Sequence, residues 1–211
     1  MGFLDKLLGR RGPRQVQTVA EAMALFESCG IRVRPDLSLQ QLIENEGSEE
    51  SRFLNLKYLA WLIGDESDWF IGFPGINAMG FDTEKIEDQE CYAEILSTFS
   101  RICEGLLQFT DVIDEVECDT DAFLELSCNG SRYRVEFHQE NDWFAPEVMS
   151  LLEALVKRHG RGKRLAYIVD EPDDFVHFLI IKPQDAARLG EYGLELEVTE
   201  TDLPLDGVTL L

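Results

Sequence analysis

The chain has no cysteine pair at metal-binding spacing, few histidines, few cations and no long apolar run. Its five cysteines, Cys29, Cys91, Cys103, Cys118 and Cys128, form an odd set without a CxxC among them. That excludes a zinc site of paired thiolates and argues against a disulfide framework. Free thiols in a reducing, cytoplasmic setting are the expectation. Met1 to Gly12 has neither the apolar core nor the small-residue cleavage site of a secretory signal. No apolar stretch approaches the roughly 18 residues of a membrane span.

Catalytic signatures are equally scarce. There is no GxSxG elbow, and Gly72, Gly75 and Gly80 do not have the GxGxxG spacing. Gly160-Arg-Gly-Lys163 resembles the end of a phosphate loop. However, Lys157 stands where the first glycine belongs, and Arg164 replaces the closing hydroxyl residue. The six acids of Asp111–Asp121 fail as a calcium loop, because the sixth place is Leu124 or Ala122 rather than glycine. We therefore expect no enzyme activity, no cofactor and no metal.

Positive charge is the sharpest deficit. Nineteen Lys and Arg face forty-one Asp and Glu, a formal net charge of −22. From Gln15 to Val156 the count is 29 acids against 8 bases, so 29 − 8 leaves a local excess of 21 negative charges. Nucleic-acid binding rests on cations displacing counterions, so it is excluded as a function. Such a field instead attracts basic proteins and accelerates their encounter.

What is present reads as alternating helix and strand signals. Residues 1–14 form a short cationic amphipathic segment, with Phe3, Leu4, Leu7 and Leu8 at helical spacing among Lys6, Arg10 and Arg11. Residues 15–108 read as mainly helical. Thr18-Val-Ala-Glu21 is a capping box for a helix ending near Cys29, with Gly30 suited to a left-handed stop. Ser38-Leu-Gln-Gln41 repeats the logic, and Glu49–Ile63 is a third helix. Asp68–Asp82 reads as a Gly- and Pro-broken connection. Tyr92, Ile95, Leu96, Phe99, Ile102, Cys103 and Leu106 make one continuous apolar stripe.

Residues 109–202 read as an α+β region. Asn129-Gly130 predicts a two-residue hairpin. It sets Cys128 opposite Ser131, Leu126 opposite Tyr133, Leu124 opposite Val135 and Ala122 opposite Phe137. On the other face Glu125 meets Arg134 and Asp121 meets His138. Pro146 opens a helix that Gly160 ends; strands follow at Arg164–Val169, Phe175–Lys182 and Leu194–Thr199, with a short helix at Pro183–Leu189. Residues 203–211 read as a tail. The expected architecture is α+β: a helical N-terminal half packed with an antiparallel sheet in a β-β-α-β-β-α-β C-terminal half, in one domain or two with a boundary near Gln108.

The acidic run continues the hairpin's alternation, with a break expected near Thr120 and the parity firmest from Ala122 onward. Val116, Cys118, Ala122, Leu124, Leu126 and Cys128 would face inward, and Glu115, Glu117, Asp119, Asp121 and Glu125, with Phe123 among them, outward. These outward residues, with Trp143 and Phe144 as aromatic anchors, are the candidate partner-binding surface. The leading reading is a non-enzymatic cytoplasmic binding protein of immunity or inhibitor type, neutralising a basic partner such as a toxin. Its runner-up is a peripheral membrane adaptor using Met1–Arg11. A third reading is a hydrolase at His138, whose ring shares a face with Glu136 and Glu140 and opposes Asp121.

Overall fold

The structure is a computed structural model and describes residues 14, 16, 18–31, 78–84, 86, 90–169 and 175–211. The helices expected from Ser38 and over Glu49–Ile63, the amphipathic segment before Arg14, and the acidic turn Asp170–Asp174 lie outside them. The Thr18 hydroxyl accepts from the Glu21 amide at 3.2 Å and starts helix α1, Val19–Ser28. Gly30, at φ +80°, lets the chain reverse there, and the Ile31 amide returns to the Phe26 carbonyl at 2.9 Å.

The remaining elements are β1 (Ala78–Asp82), α2 (Cys91–Ile102), β2 (Phe109–Glu115), β3 (Asp121–Cys128), β4 (Ser131–His138), α3 (Pro146–His159), β5 (Arg164–Ile168), β6 (Phe175–Ile181), α4 (Pro183–Gly190), β7 (Leu196–Val198) and β8 (Val208–Leu210). They make a mixed α+β fold with two antiparallel four-stranded sheets, ordered β1-β6-β5-β7 and β2-β3-β4-β8.

The hairpin takes the expected register at every position from Asp121↔His138 to Cys128↔Ser131. Asn129 and Gly130 both adopt positive φ, 48° and 83°, which the tight turn demands. Even positions of β3 are buried and odd ones are not, so one face packs and the other is wet.

Both faces of the β1-β6-β5-β7 sheet are covered. Leu165, Phe178 and Ile180 join the larger core with α2, α3 and the inner face of the other sheet. Ala166, Ile168, Leu179 and Ile181 meet α1 and α4 on the reverse side. Burial on both sides explains why β6 is an almost unbroken apolar run. Helices α2 and α3 therefore lie between the two sheets, and the larger core draws residues from both sides of Gln108.

Three expectations need correction. The strand order after Gln108 is β-β-β-α-β-β-α-β-β, because the acidic run is not one strand. It is β2, a turn, and β3 folded back antiparallel. The reversal has no glycine or proline; Asp119 supplies it by taking φ 59°, and the Thr120 hydroxyl donates to the Glu117 carbonyl at 2.8 Å. Residues 208–210 are not tail but an edge strand, since Val208 and Leu210 pair with Val135 and Tyr133. Finally, the connection before Asp82 ends in a strand, β1, hydrogen-bonded along β6.

Candidate functional site

The outer face of β2-β3-β4-β8 carries Glu115, Asp121, Phe123 and Glu125, half of the residues singled out as a binding surface. Glu125 does not stand there as a bare charge. Arg132 reaches its carboxylate at 2.6 Å and Arg134 at 2.7 Å, because the hairpin register places both on the neighbouring strand. Hydrogen bonds from Arg134 and then Arg132 hold the Glu125 carboxyl below its usual value. Arg134 also bonds Glu136 at 2.9 Å and lies over the ring of Phe123. Phe123 is thus half-buried beneath a cation rather than free as an anchor.

The rest of the acidic row converges at the turn end of the sheet. Glu115 closes β2 opposite Phe123; Glu117 and Asp119 form the turn, and Asp121 opens β3. The connection from β4 to α3 packs on this turn and adds Glu140 and Asp142. Gln139, fully buried, fastens the two together. Its backbone accepts from the Asp119 amide at 2.8 Å and donates to the Thr120 carbonyl at 2.9 Å. Its side-chain nitrogen donates to the Asn141 and Trp143 carbonyls at 3.1 and 2.6 Å. Its side-chain oxygen accepts from the Tyr92 hydroxyl at 3.0 Å. An Asp119 carboxylate oxygen caps the Asn141 amide at 3.1 Å. The acids are therefore held by a rigid frame rather than by a floppy loop.

Trp143 and Phe144 part company at this frame. Trp143 is 37 % exposed beside the acids, bridged in the backbone to Glu84. Phe144 is 9 % exposed and packs on Tyr92, with ring centroids 5.2 Å apart. Phe144 is therefore a core residue, and the expectation of an aromatic anchor there is corrected. Phe144 and Ala145 both turn into the core ahead of Pro146, while Trp143 stays outside. Ile113, 47 % exposed on the outer face opposite Glu125, is an apolar residue the sequence reading passed over. A bulge in β2 between Thr110 and Ile113, with Asp111 at φ 51°, shifts the strand's alternation and hid it.

Glu115, Glu117, Asp119, Glu140 and Asp142 have no cationic partner among the described residues. Among the described residues Asp121 meets only the His138 ring, at 3.2 Å, with both side chains well exposed. Glu136 is turned to Arg134 instead, so the geometry does not assemble the His138 group. Among the described residues no three His, Cys, Asp or Glu side chains converge on a cation position.

Of the five cations in the basic stretch Lys157–Arg164, Lys157, Lys163 and Arg164 are committed elsewhere. Lys157 binds Glu200 and Asp202 at 3.0 and 2.8 Å, Lys163 binds Glu104 at 3.3 Å, and Arg164 binds Glu200 at 3.5 Å. These are ties between elements of the fold. Among the described residues no helix is long and apolar enough to cross a membrane. No protein-family model matches the chain, and no curated protein or solved structure shows significant similarity to it.

Proposed function

We propose that the chain is a non-enzymatic acidic binding protein that captures a basic protein partner at the turn end of the β2-β3-β4-β8 sheet. One observation carries this reading. Among the described residues, five carboxylates without cationic partners, Glu115, Glu117, Asp119, Glu140 and Asp142, sit at the end of β2, in the turn after it and in the β4–α3 connection that packs on that turn and carries the part-exposed Trp143, while Arg132 and Arg134 are already engaged. Folding alone gains nothing from like charges fixed in proximity, whereas a cationic partner would be steered to them. Trp143 and Ile113 supply apolar contact beside the charge, the combination that makes a good anchor. An inhibitor or immunity protein that blocks a toxin with a cationic active site, acting in the cytoplasm, is the concrete form of this reading.

The test begins with recovery of bound protein from native cells at low salt, followed by association kinetics with the purified partner. The triple variant Glu115→Gln, Glu117→Gln, Asp119→Asn should slow association by about tenfold at low salt and flatten its salt dependence. Trp143→Ala should act on dissociation instead. Recovery of no protein, or an unchanged association rate in the triple variant, rejects the reading.

A further inference from the structure

Far from the acidic turn, the chain closes over α3. After β7 the Thr199 amide and hydroxyl both donate to the Leu165 carbonyl, at 2.9 and 3.0 Å. Lys157 then holds Glu200 and Asp202, and the Thr201 hydroxyl donates to Glu153. The segment crosses to the other sheet, where the Glu136 amide donates to the Gly207 carbonyl at 2.9 Å and β8 joins β4. Beneath this strap remains a cleft of about 270 Å³, lined by Tyr133, Arg158, Leu203, Pro204, Val208 and Leu210.

Its lining is apolar apart from two groups, both hydrogen-bond donors. Tyr133 is 1 % exposed, and its hydroxyl is buried with no hydrogen-bond partner. A buried phenol left so is disfavoured, and a bound acceptor would relieve it. Arg158, exposed in the last turn of α3, has no ion pair among the described residues, unlike Lys157 beside it. A guanidinium offers donors only, in a fork that fits a planar carboxylate. A cationic head would be repelled, and a wholly apolar ligand would leave both donors unanswered. The volume lies at the small end of ligand pockets.

We infer that this cleft binds a small amphiphilic carboxylate, its apolar body against Leu203, Pro204, Val208 and Leu210 and its head toward Arg158 and the Tyr133 hydroxyl. The site is separate from the acidic turn. Tyr133 and His138 lie five residues apart along β4, about 17 Å at strand rise.

The experiment titrates the full chain with octanoate, octanol and octylamine by calorimetry, below micelle concentrations, and follows the thermal midpoint alongside. Octanoate should bind saturably and raise the midpoint; octanol should bind more weakly and octylamine not at all. Arg158→Gln should weaken octanoate by about tenfold while leaving octanol unchanged. Tyr133→Phe should weaken octanoate by about threefold. Leu203→Trp, which fills the cleft, should abolish binding of every probe. Equal affinity for octanoate and octanol, no saturable octanoate binding, or an Arg158→Gln variant that binds octanoate as well as the parent, overturns the assignment.

Discussion

Arg134 stacks over Phe123, its guanidinium carbon 3.7 Å from the ring centroid, while bonding Glu125 on one side and Glu136 on the other. One planar cation thus organises a tract of the outer sheet face. Lysine keeps the charge but cannot both stack and fork, so Arg134→Lys should lower the urea midpoint measurably. The acid side of the network gives a pH test. The Glu125 carboxyl is held below its ordinary value of 4.5, so it contributes stability above that value and loses it as pH falls through the lower folded-state value. Glu125→Gln should therefore be less stable than the parent at neutral pH. The gap should be modest, because the pair is screened by solvent, and should close as pH falls through the lowered folded-state value. Urea midpoints at several pH values decide it.

The carboxylates of the acidic turn should behave in the opposite sense. Neutralising Glu115, Glu117 and Asp119 removes repulsion without removing a bond, since asparagine keeps the oxygen that caps the Asn141 amide. The triple variant should melt higher than the parent in low salt, with the advantage fading as salt screens the charges. Thermal melts across a salt series check this. A lower melting point in low salt would mean that the acids make unrecognised stabilising contacts.

Tyr92 is the keystone under that turn. Its hydroxyl donates to Gln139 and accepts from the Ala145 amide at 3.0 Å, and its ring touches Phe137 and Phe144. Tyr92→Phe preserves the packing and strands both partners, which should cost about 1–3 kcal/mol in a urea titration. The same burial pushes the phenol well above its usual value, so it stays neutral and able to donate through the whole stable pH range.

Asp114 points the other way. It sits opposite Leu124 in β2, half-buried, with one carboxylate oxygen buried and unpartnered. Asp114→Val should raise stability by about 1 kcal/mol. Yet among the described residues β2 is an edge strand of its sheet, and an inward carboxylate beside a bulge discourages pairing with a second chain. The variant should therefore self-associate at concentrations where the parent remains monodisperse, which light scattering would show.

Legibility in the sequence followed the reach of the interactions. The β3–β4 hairpin could be written down pair by pair, because a two-residue turn fixes its register and alternation fixes its faces. The pairing of Glu125 with Arg134 came with it. A break near Thr120 is legible, but the reversal there is not, because the non-glycine Asp119 takes the left-handed conformation. That made two antiparallel strands read as one, and left Phe109–Glu115 without its own place in the sheet. Strand β8 is three residues long and owes its order to β4, some seventy residues earlier, so no local pattern announces it. Phe144 looked like Trp143 in sequence, and only the path into α3 separates them. The cleft is assembled from β4, α3 and the closing strap, residues remote along the chain, and left no motif to find.

Strand β6 pairs on one side with β5, its near neighbour, and on the other with β1, where Ala78 meets Leu179. The whole of α2, β2, β3, β4, α3 and β5 is threaded between β1 and β6. Closing so long a loop is slow, whereas the β3–β4 hairpin closes locally and quickly. Assembly should then run from the hairpin outward, with β1 docking late. Until it does, Phe-Val-His-Phe-Leu-Ile-Ile presents an open, mostly apolar edge without Lys, Arg, Asp or Glu. Even for a chain this rich in negative charge, the folding route then passes through a segment open to aggregation.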